Sequence, residues 1–276
     1  MMLPETSPFT NALGATGTRR RIRLGATSCV YPGDIVFNAE RLAPLVDDIE
    51  LVLFDVEGYG CNYPDRAVVS RLNRIAVAHD LTYTVHFELD LRSAREDGGI
   101  DASLEKARRI IHCTRELNPW GYVAHLDGRI FLGRPGPAAV RRWRRQAREA
   151  VLKVCEWLDR PGRLCIENIE RWDPEAFAPL VASIPVSRCI DVGHLWVQGA
   201  DPAAHLDAWI HRARIVHLHG LAGEDHRSLS LVPRESLDPV AAILKRRFRG
   251  VVTLEVFTEK DLLESLRAWR RALDRV

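Results

Sequence analysis

Eight short apolar runs, rich in β-branched residues and each followed by a stretch with helical periodicity, restrict this chain more than any other feature of its sequence. The runs lie at 22–28, 49–56, 81–87, 121–126, 163–169, 186–192, 214–219 and 251–257. Short runs of this kind fit buried parallel strands. Between them apolar residues recur at three and four. Asp65 precedes one such stretch (A-V-V-S-R-L-N-R-I-A-V-A) and Asp101 another (S-L-E-K-A-R-R-I-I-H-C). Asp173-Pro174 and Asp238-Pro239 each read as an N-cap followed by proline at the first helical position. Eight strand–helix pairs with short connections predict an α/β chain folded as a single-domain (β/α)8 barrel over 21–276, after a flexible N-terminal arm at 1–20. An open doubly wound sheet is the alternative pattern. The missing G-x-G-x-x-G after the first strand weakens its dinucleotide-binding form.

Composition narrows the partners. A chain of 276 residues with 28% charged and 46% hydrophobic residues can bury one large core. Its net charge of +2 gives no long-range pull on nucleic acid. The one dense basic run, R-R-W-R-R-Q-A-R at 141–148, falls on the fourth expected helix and reads as a solvated face. No apolar run nears the roughly 18 residues of a membrane span. The first twenty residues lack the apolar core of a signal peptide. Six cysteines without a C-x-x-C pair read as buried thiols of a reducing compartment, so a cytoplasmic protein is expected.

In a barrel of this kind the active site lies at the C-terminal ends of the strands. There the sequence places His86 and Glu88 (strand 3), His125 and Asp127 (strand 4), Glu167 (strand 5), Asp191 and His194 (strand 6), His217 and His219 (strand 7) and Glu255 (strand 8). An ionised group buried without a partner costs several kcal/mol. Carboxylates converging with imidazoles need compensation, and divalent cations supply it, since both groups are ordinary ligands of zinc and manganese. A metal-free hydrogen-bonded network is the alternative. Glu167 and Glu255, flanked by apolar residues in mid-run, are the hardest to explain without metal. Asp191 and His194 can face one pocket. The loop after strand 7 adds Glu224, Asp225 and His226 as candidates for a further site, with a solvated charged loop as the alternative. His219 is expected to face the helix layer and to be structural. Tyr31, Asp34 and Tyr59, in the first two loops, are candidate substrate contacts, and Asp55 and Glu57 candidate mouth residues.

These motifs resemble the xylose-isomerase-like TIM-barrel superfamily, which includes sugar epimerases and abasic-site nucleases of the endonuclease IV type. His86, His125, Glu167, the D-x-x-H of Asp191 and His194, His217, the acid-x-His of Glu224 and His226, and Glu255 match the nuclease-type pattern. Two positions depart from it: Gly220 where an aspartate often follows H-L-x, and Glu224 where aspartate is usual. A more specific likeness lies in G-A-T-S-C-V-Y-P-G-D-I-V-F-N followed by L-A-P-L-V-D-D-I-E-L-V-L-F, and in V-H-L-H-G-x-x-x-x-D-H. These are similar to the cobamide-remodelling phosphodiesterases of the same superfamily.

The resemblance implies hydrolysis of the phosphoribosyl bond in the nucleotide loop of a cobamide such as adenosylcobalamin, with two or three divalent ions, zinc first and manganese or cobalt next. Glu167, His194 and Glu255 are the expected catalytic residues. His86, His125, Glu167, Asp191, His194, His217, Glu224, His226 and Glu255 are the expected metal ligands, with Glu167 bridging two ions and a water of metal-lowered pKa attacking phosphorus. Three rival readings follow from the same residues: a one-metal sugar-phosphate isomerase or epimerase using Glu167, Asp191, His217 and Glu255; an abasic-site nuclease; and a barrel that binds without catalysis.

Overall fold

In the computed structural model, residues 22–93 and 100–276 are described; the expected arm at 1–20 lies outside them. All eight expected strands form: β1 (Arg23–Thr27), β2 (Asp48–Val52), β3 (Thr82–His86), β4 (Tyr122–Ala124), β5 (Leu164–Glu167), β6 (Ser187–Asp191), β7 (Ala213–Leu218) and β8 (Val251–Leu254). Each pairs in parallel with its sequence neighbours, and β1 pairs with β8, so the sheet closes into a single-domain barrel. Closure leaves no edge strand, and each strand is covered on both sides, which is why the runs read as almost continuously apolar.

The helices are α1 (Ile35–Leu42), α2 (Arg66–His79), α3 (Ala102–Thr114), α4 (Pro137–Cys155), α5 (Ala178–Ser183), α6 (Val192–Val197), α7 (Pro202–Trp209), α8 (Arg234–Arg247) and α9 (Glu259–Arg275). Asp65 and Asp101 cap α2 and α3 as expected, each accepting a hydrogen bond from a first-turn N–H. Two expected caps are displaced. Asp173 accepts from Glu175 N within a turn, and α5 starts only at Ala178. Asp238 and Pro239 lie inside α8, which starts after Pro233. Pro239 forfeits one helical hydrogen bond. Burial of Leu237, Val240, Ala241 and Leu244 holds the helix in place regardless, and Asp238 instead pairs with Arg275 of α9.

β2 also stops short of its expected end. The Asn62 side chain accepts from Phe54 N and donates to Val52 O, taking over backbone groups that would have continued the ladder. The chain then turns through a short antiparallel pair, Asp55–Val56 with Gly60–Cys61. Asp55 there is engaged by Arg109 at 2.6 Å, and Glu57 is exposed.

The basic run falls on α4 in the outer layer. Arg141, Arg142, Arg145 and Arg148 are exposed, while Trp143 is buried against Phe131 and Trp172. At the N-terminal end, the barrel interior is plugged by Val123, Cys165, Cys189, Ile215 and Val251. No helix among the described residues is long and apolar enough to cross a membrane.

Candidate metal centre

Strand geometry brings the donors together. Side chains alternate across a strand, so residues two apart share a face. Two positions above the apolar plug, the inward face becomes charged: Glu167 ends β5, Asp191 ends β6 and His217 is next to last in β7. His86 ends β3; His125 and Glu255 follow β4 and β8 by one residue. Register sets some of these donors side by side, with Asp191 opposite His217 on the neighbouring strand.

Glu167 joins two groups of side chains. Its Oε2 lies 3.3 Å from His86 Nε2 and 3.0 Å from His125 Nε2. Its Oε1 lies 2.9 Å from His217 Nδ1. His217 Nδ1 is also 3.0 Å from Glu255 Oε2 and 3.8 Å from Asp191 Oδ2. His86, His125 and Glu167 thus form one candidate ligand group, and Glu167, Asp191, His217 and Glu255 another; within each group the donor atoms lie within 4.8 Å of one another.

A third group of imidazoles differs from the one expected. It consists of His194, His226 and His219. Glu224 is not brought there: its side chain is 78% exposed and pairs with Arg227. Asp225 is the acid beside His226, with 3.1 Å between Oδ1 and Nδ1. His219 does not face the helix layer. It stands two residues after His217 and so shares its inward face, fully buried, with Nε2 3.3 Å from Asp191 Oδ1. The expectation placed positions 217 and 219 on opposite faces, against the two-residue period. The structure also accounts for Gly220. Its N–H and C=O pair with Arg227, closing the loop that carries His226 back to the site, and a Cβ there would stand 2.1 Å from Ser228 O.

One participant was not expected. Glu50, in the middle of β2, is fully buried, and its Oε2 lies 3.0 Å from His217 Nε2. The signal was present in I-E-L-V, a carboxylate in an apolar run, the same pattern that marked Glu167 and Glu255. Glu88 and Asp127 stay outside the groups. Glu88 is taken by Lys106 and Tyr63, and Asp127 by Arg92 and Arg129.

The electrostatics are those of tightly packed opposite charges. Burial opposes ionisation of Glu167, but His217 and His125 outweigh it and hold its carboxyl well below the usual range. Glu255 is lowered likewise, with His217 opposing its burial. Burial works against charge on His125, yet Glu167 and Asp90 push its pKa up to about 10. At His226 burial is overcome mainly by Glu255, and the value rises to about 9.

Protons alone do not satisfy the site. Asp191 Oδ2 and Glu50 Oε1 are buried and have no hydrogen-bond partner among the described residues, and His219 Nε2 and Glu255 Oε2, equally buried, lie 3.3 Å from Asp191 Oδ1 and 3.0 Å from His217 Nδ1 without a directed hydrogen bond. Three of these four atoms belong to the candidate ligand groups. Orphaned lone pairs at this density cost several kcal/mol, and imidazoles mixed with carboxylates are the donors that divalent transition metals take. The residues present therefore fit metal ions.

Above the groups opens a cavity of about 530 Å³, with His86, His125, His194, His226 and Glu255 in its wall and Phe54, Ile169 and Phe257 among its apolar lining. Of the expected substrate contacts, Tyr59 is 80% exposed and its ring lies 5.8 Å from that of Phe54. Tyr31 and Asp34 are not in the lining. Tyr31 is buried under the Arg41 guanidinium, and Asp34 caps α1 by accepting from Phe37 N.

A closed parallel barrel with histidines and carboxylates gathered at the C-terminal ends of its strands defines the class of this protein. The chain belongs to the xylose isomerase-like TIM barrel family, whose profile matches residues 47–275. No curated protein sequence matches the chain.

Solved structures of similar fold include a D-tagatose 3-epimerase-like protein (19% identity, 92% of this chain and 98% of that one, TM-score 0.73). Endonuclease IV from Thermus thermophilus is also similar (19%, 92% and 100%, 0.67), as is a 3-keto-D-glucoside 4-epimerase from E. coli (13%, 91% and 99%, 0.64). These neighbours are enzymes of two kinds, isomerases and a nuclease, and at such identities they speak for the fold.

Proposed function

We propose that this chain is a metal-dependent phosphodiesterase that hydrolyses the phosphoribosyl bond in the nucleotide loop of a cobamide. The observation that carries the hydrolase reading is the sharing of Glu167 between two ligand groups. His86 and His125 add a second set of donors to the one formed by Glu167, Asp191, His217 and Glu255. Paired divalent ions would supply Lewis-acid charge for both the attacking and the leaving oxygen of a phosphoryl centre.

The chain's own residues have the remaining roles. Glu255, in the cavity wall, holds the attacking water and takes its proton as that oxygen bonds to phosphorus. The P–O bond to the ribose breaks on the opposite side, and the departing oxygen takes a proton from water, so that α-ribazole leaves as the alcohol. His194 and His226 line the same cavity and orient the non-bridging oxygens. The cobamide assignment rests on the Y-P-G-D-I-V and V-D-D-I-E-L-V-L-F segments. A cavity of about 530 Å³ suits the phosphoribosyl part, with the bulk of the substrate left against the apolar side chains of Phe54, Ile169 and Phe257.

The second reading is a sugar epimerase. It is favoured by the group of Glu167, Asp191, His217 and Glu255, which can hold one ion without His86 or His125. Incubating the purified protein with adenosylcobalamin and zinc or manganese decides between them. Release of α-ribazole, detected by mass spectrometry, is the expected result. Cleavage of abasic DNA without α-ribazole release would overturn the substrate. One bound ion per chain, together with ketose epimerisation, would overturn the hydrolase.

A further inference from the structure

We propose that the N-terminal end of the barrel, opposite the metal centre, holds a second ligand site, a basic cavity that takes the phosphate group of a small molecule. Its position makes it independent of the cobamide reading.

The cavity has a volume of about 330 Å³. Its wall comes from the N-terminal ends of the strands. Trp120 precedes β4, Ser187 opens β6, Arg212 precedes β7, Arg214 is the second residue of β7, and Arg249 precedes β8, while Arg247 closes α8. Arg212, Arg214, Arg247 and Arg249 all line the cavity, and no carboxylate does. This end of a barrel ordinarily serves stability alone. Stability is poorly served by like charges gathered around one space.

The arginines divide by what they touch. Arg212 donates to the carbonyls of Val181, Ile184 and Val186, and Arg249 to those of Lys245, Arg246 and Phe248. These bonds close the C-terminal ends of α5 and α8. Carbonyl dipoles satisfy the donors and leave the net charge in place. Arg247 pairs with Asp207 at the exposed rim.

Arg214 is different. Its guanidinium carbon lies 4.7 Å from the centroid of the Trp120 ring. Its Nε donates to Trp120 O at 2.5 Å, and Trp120 Nε1 donates back to Arg214 O at 3.3 Å. This reciprocal pair fixes the guanidinium in the cavity wall. Nη1 and Nη2 of Arg214 have no hydrogen-bond partner among the described residues. Burial pushes the Arg214 pKa below its usual value, and the charges of Arg163 and Arg160 add to the effect. The carboxylate between those two, Asp159, already pairs with both. An anion in the cavity relieves this excess. A fixed guanidinium with both terminal nitrogens open presents the paired donors that fit two oxygens of a phosphate. The accumulated charge favours a dianion over a monocarboxylate, and the volume leaves room for a small organic group on the phosphate.

The test is calorimetric titration of the full chain with inorganic phosphate and with ribose 5-phosphate, once on chelator-treated protein and once after zinc is restored and excess removed. The chelator-treated protein is expected to bind, and the affinity should fall about tenfold or more in Arg214→Gln and in Arg247→Gln. Arg247 is exposed, so its replacement carries the test should Arg214→Gln fail to fold. Arg141→Gln, on the exposed face of α4, should bind as the wild type does. Tighter binding of ribose 5-phosphate than of phosphate would assign the site to an ester, and binding no tighter would assign it to the free ion. No binding to the chelator-treated protein, undiminished binding in either cavity variant, or an equal loss in Arg141→Gln would overturn the proposal.

Discussion

The two ends of the barrel interior are built from the same strands and behave as opposites. Cys165, Cys189, Ile215 and Val123 pack into a dry plug, and two residues further along each strand stand Glu167, Asp191, His217 and His125. Because the strand period is two, all eight side chains point inward, and the change from apolar to charged takes less than 7 Å of strand at about 3.3 Å per residue. Below, burial pushes the Cys165 thiol up to about 12 and keeps it protonated. Above, burial is overcome by neighbouring charges that remain ionised. The difference shows that the plug can be treated as packing and the upper layer as a set of mutually dependent ions.

Four measurements sharpen or break this contrast. The largest effect is expected at Glu167, the side chain that both ligand groups share. Glu167→Gln should abolish turnover and release ions from both groups while circular dichroism stays native. Turnover at the wild-type rate would break the comparison. Next, Glu50→Gln should weaken metal binding about 10–100-fold in chelator competition, because Glu50 fixes the proton on His217 Nε2 and turns Nδ1 toward the ligands.

A smaller effect concerns pH in the metal-free protein. His125 and His226 have folded values of about 10 and about 9 against an ordinary 6.5. Their protonation therefore stabilises the fold fully below about pH 6.5 and is lost as pH rises through 9 and 10. The Tm of chelator-treated protein should fall across that window, and zinc should flatten the curve; a metal-free Tm that rises with pH would contradict it. The smallest effect belongs to the plug. Ile215→Val should cost about 0.5–1.5 kcal/mol in denaturant unfolding and leave the metal count unchanged.

The barrel was legible because each strand is buried on both faces and leaves an unbroken apolar run. Helix starts were less so. Asp173-Pro174 and Asp238-Pro239 carry the local chemistry of a cap, but tertiary burial moved both helix starts. Within the site, residues on strands were readable from position. Glu167 and Glu255 stand out in apolar surroundings, and Glu50 carried the same mark unheeded. His219 was readable too, had the period of two been applied to His217. The loop residues were not. Whether Glu224 or Asp225 turns inward depends on the Gly220–Arg227 pairing that closes the loop, and spacing alone contains no trace of that pairing.

Glu167 turns one oxygen toward His86 and His125 and the other toward His217. The imidazoles already hold this carboxylate from both sides, so an ion on either side has to replace them as its partners. His125, at about 10, still has its proton at pH 8, and that proton must leave before its nitrogen can take an ion. Adding zinc to the chelator-treated protein in unbuffered solution at pH 8 should therefore acidify it.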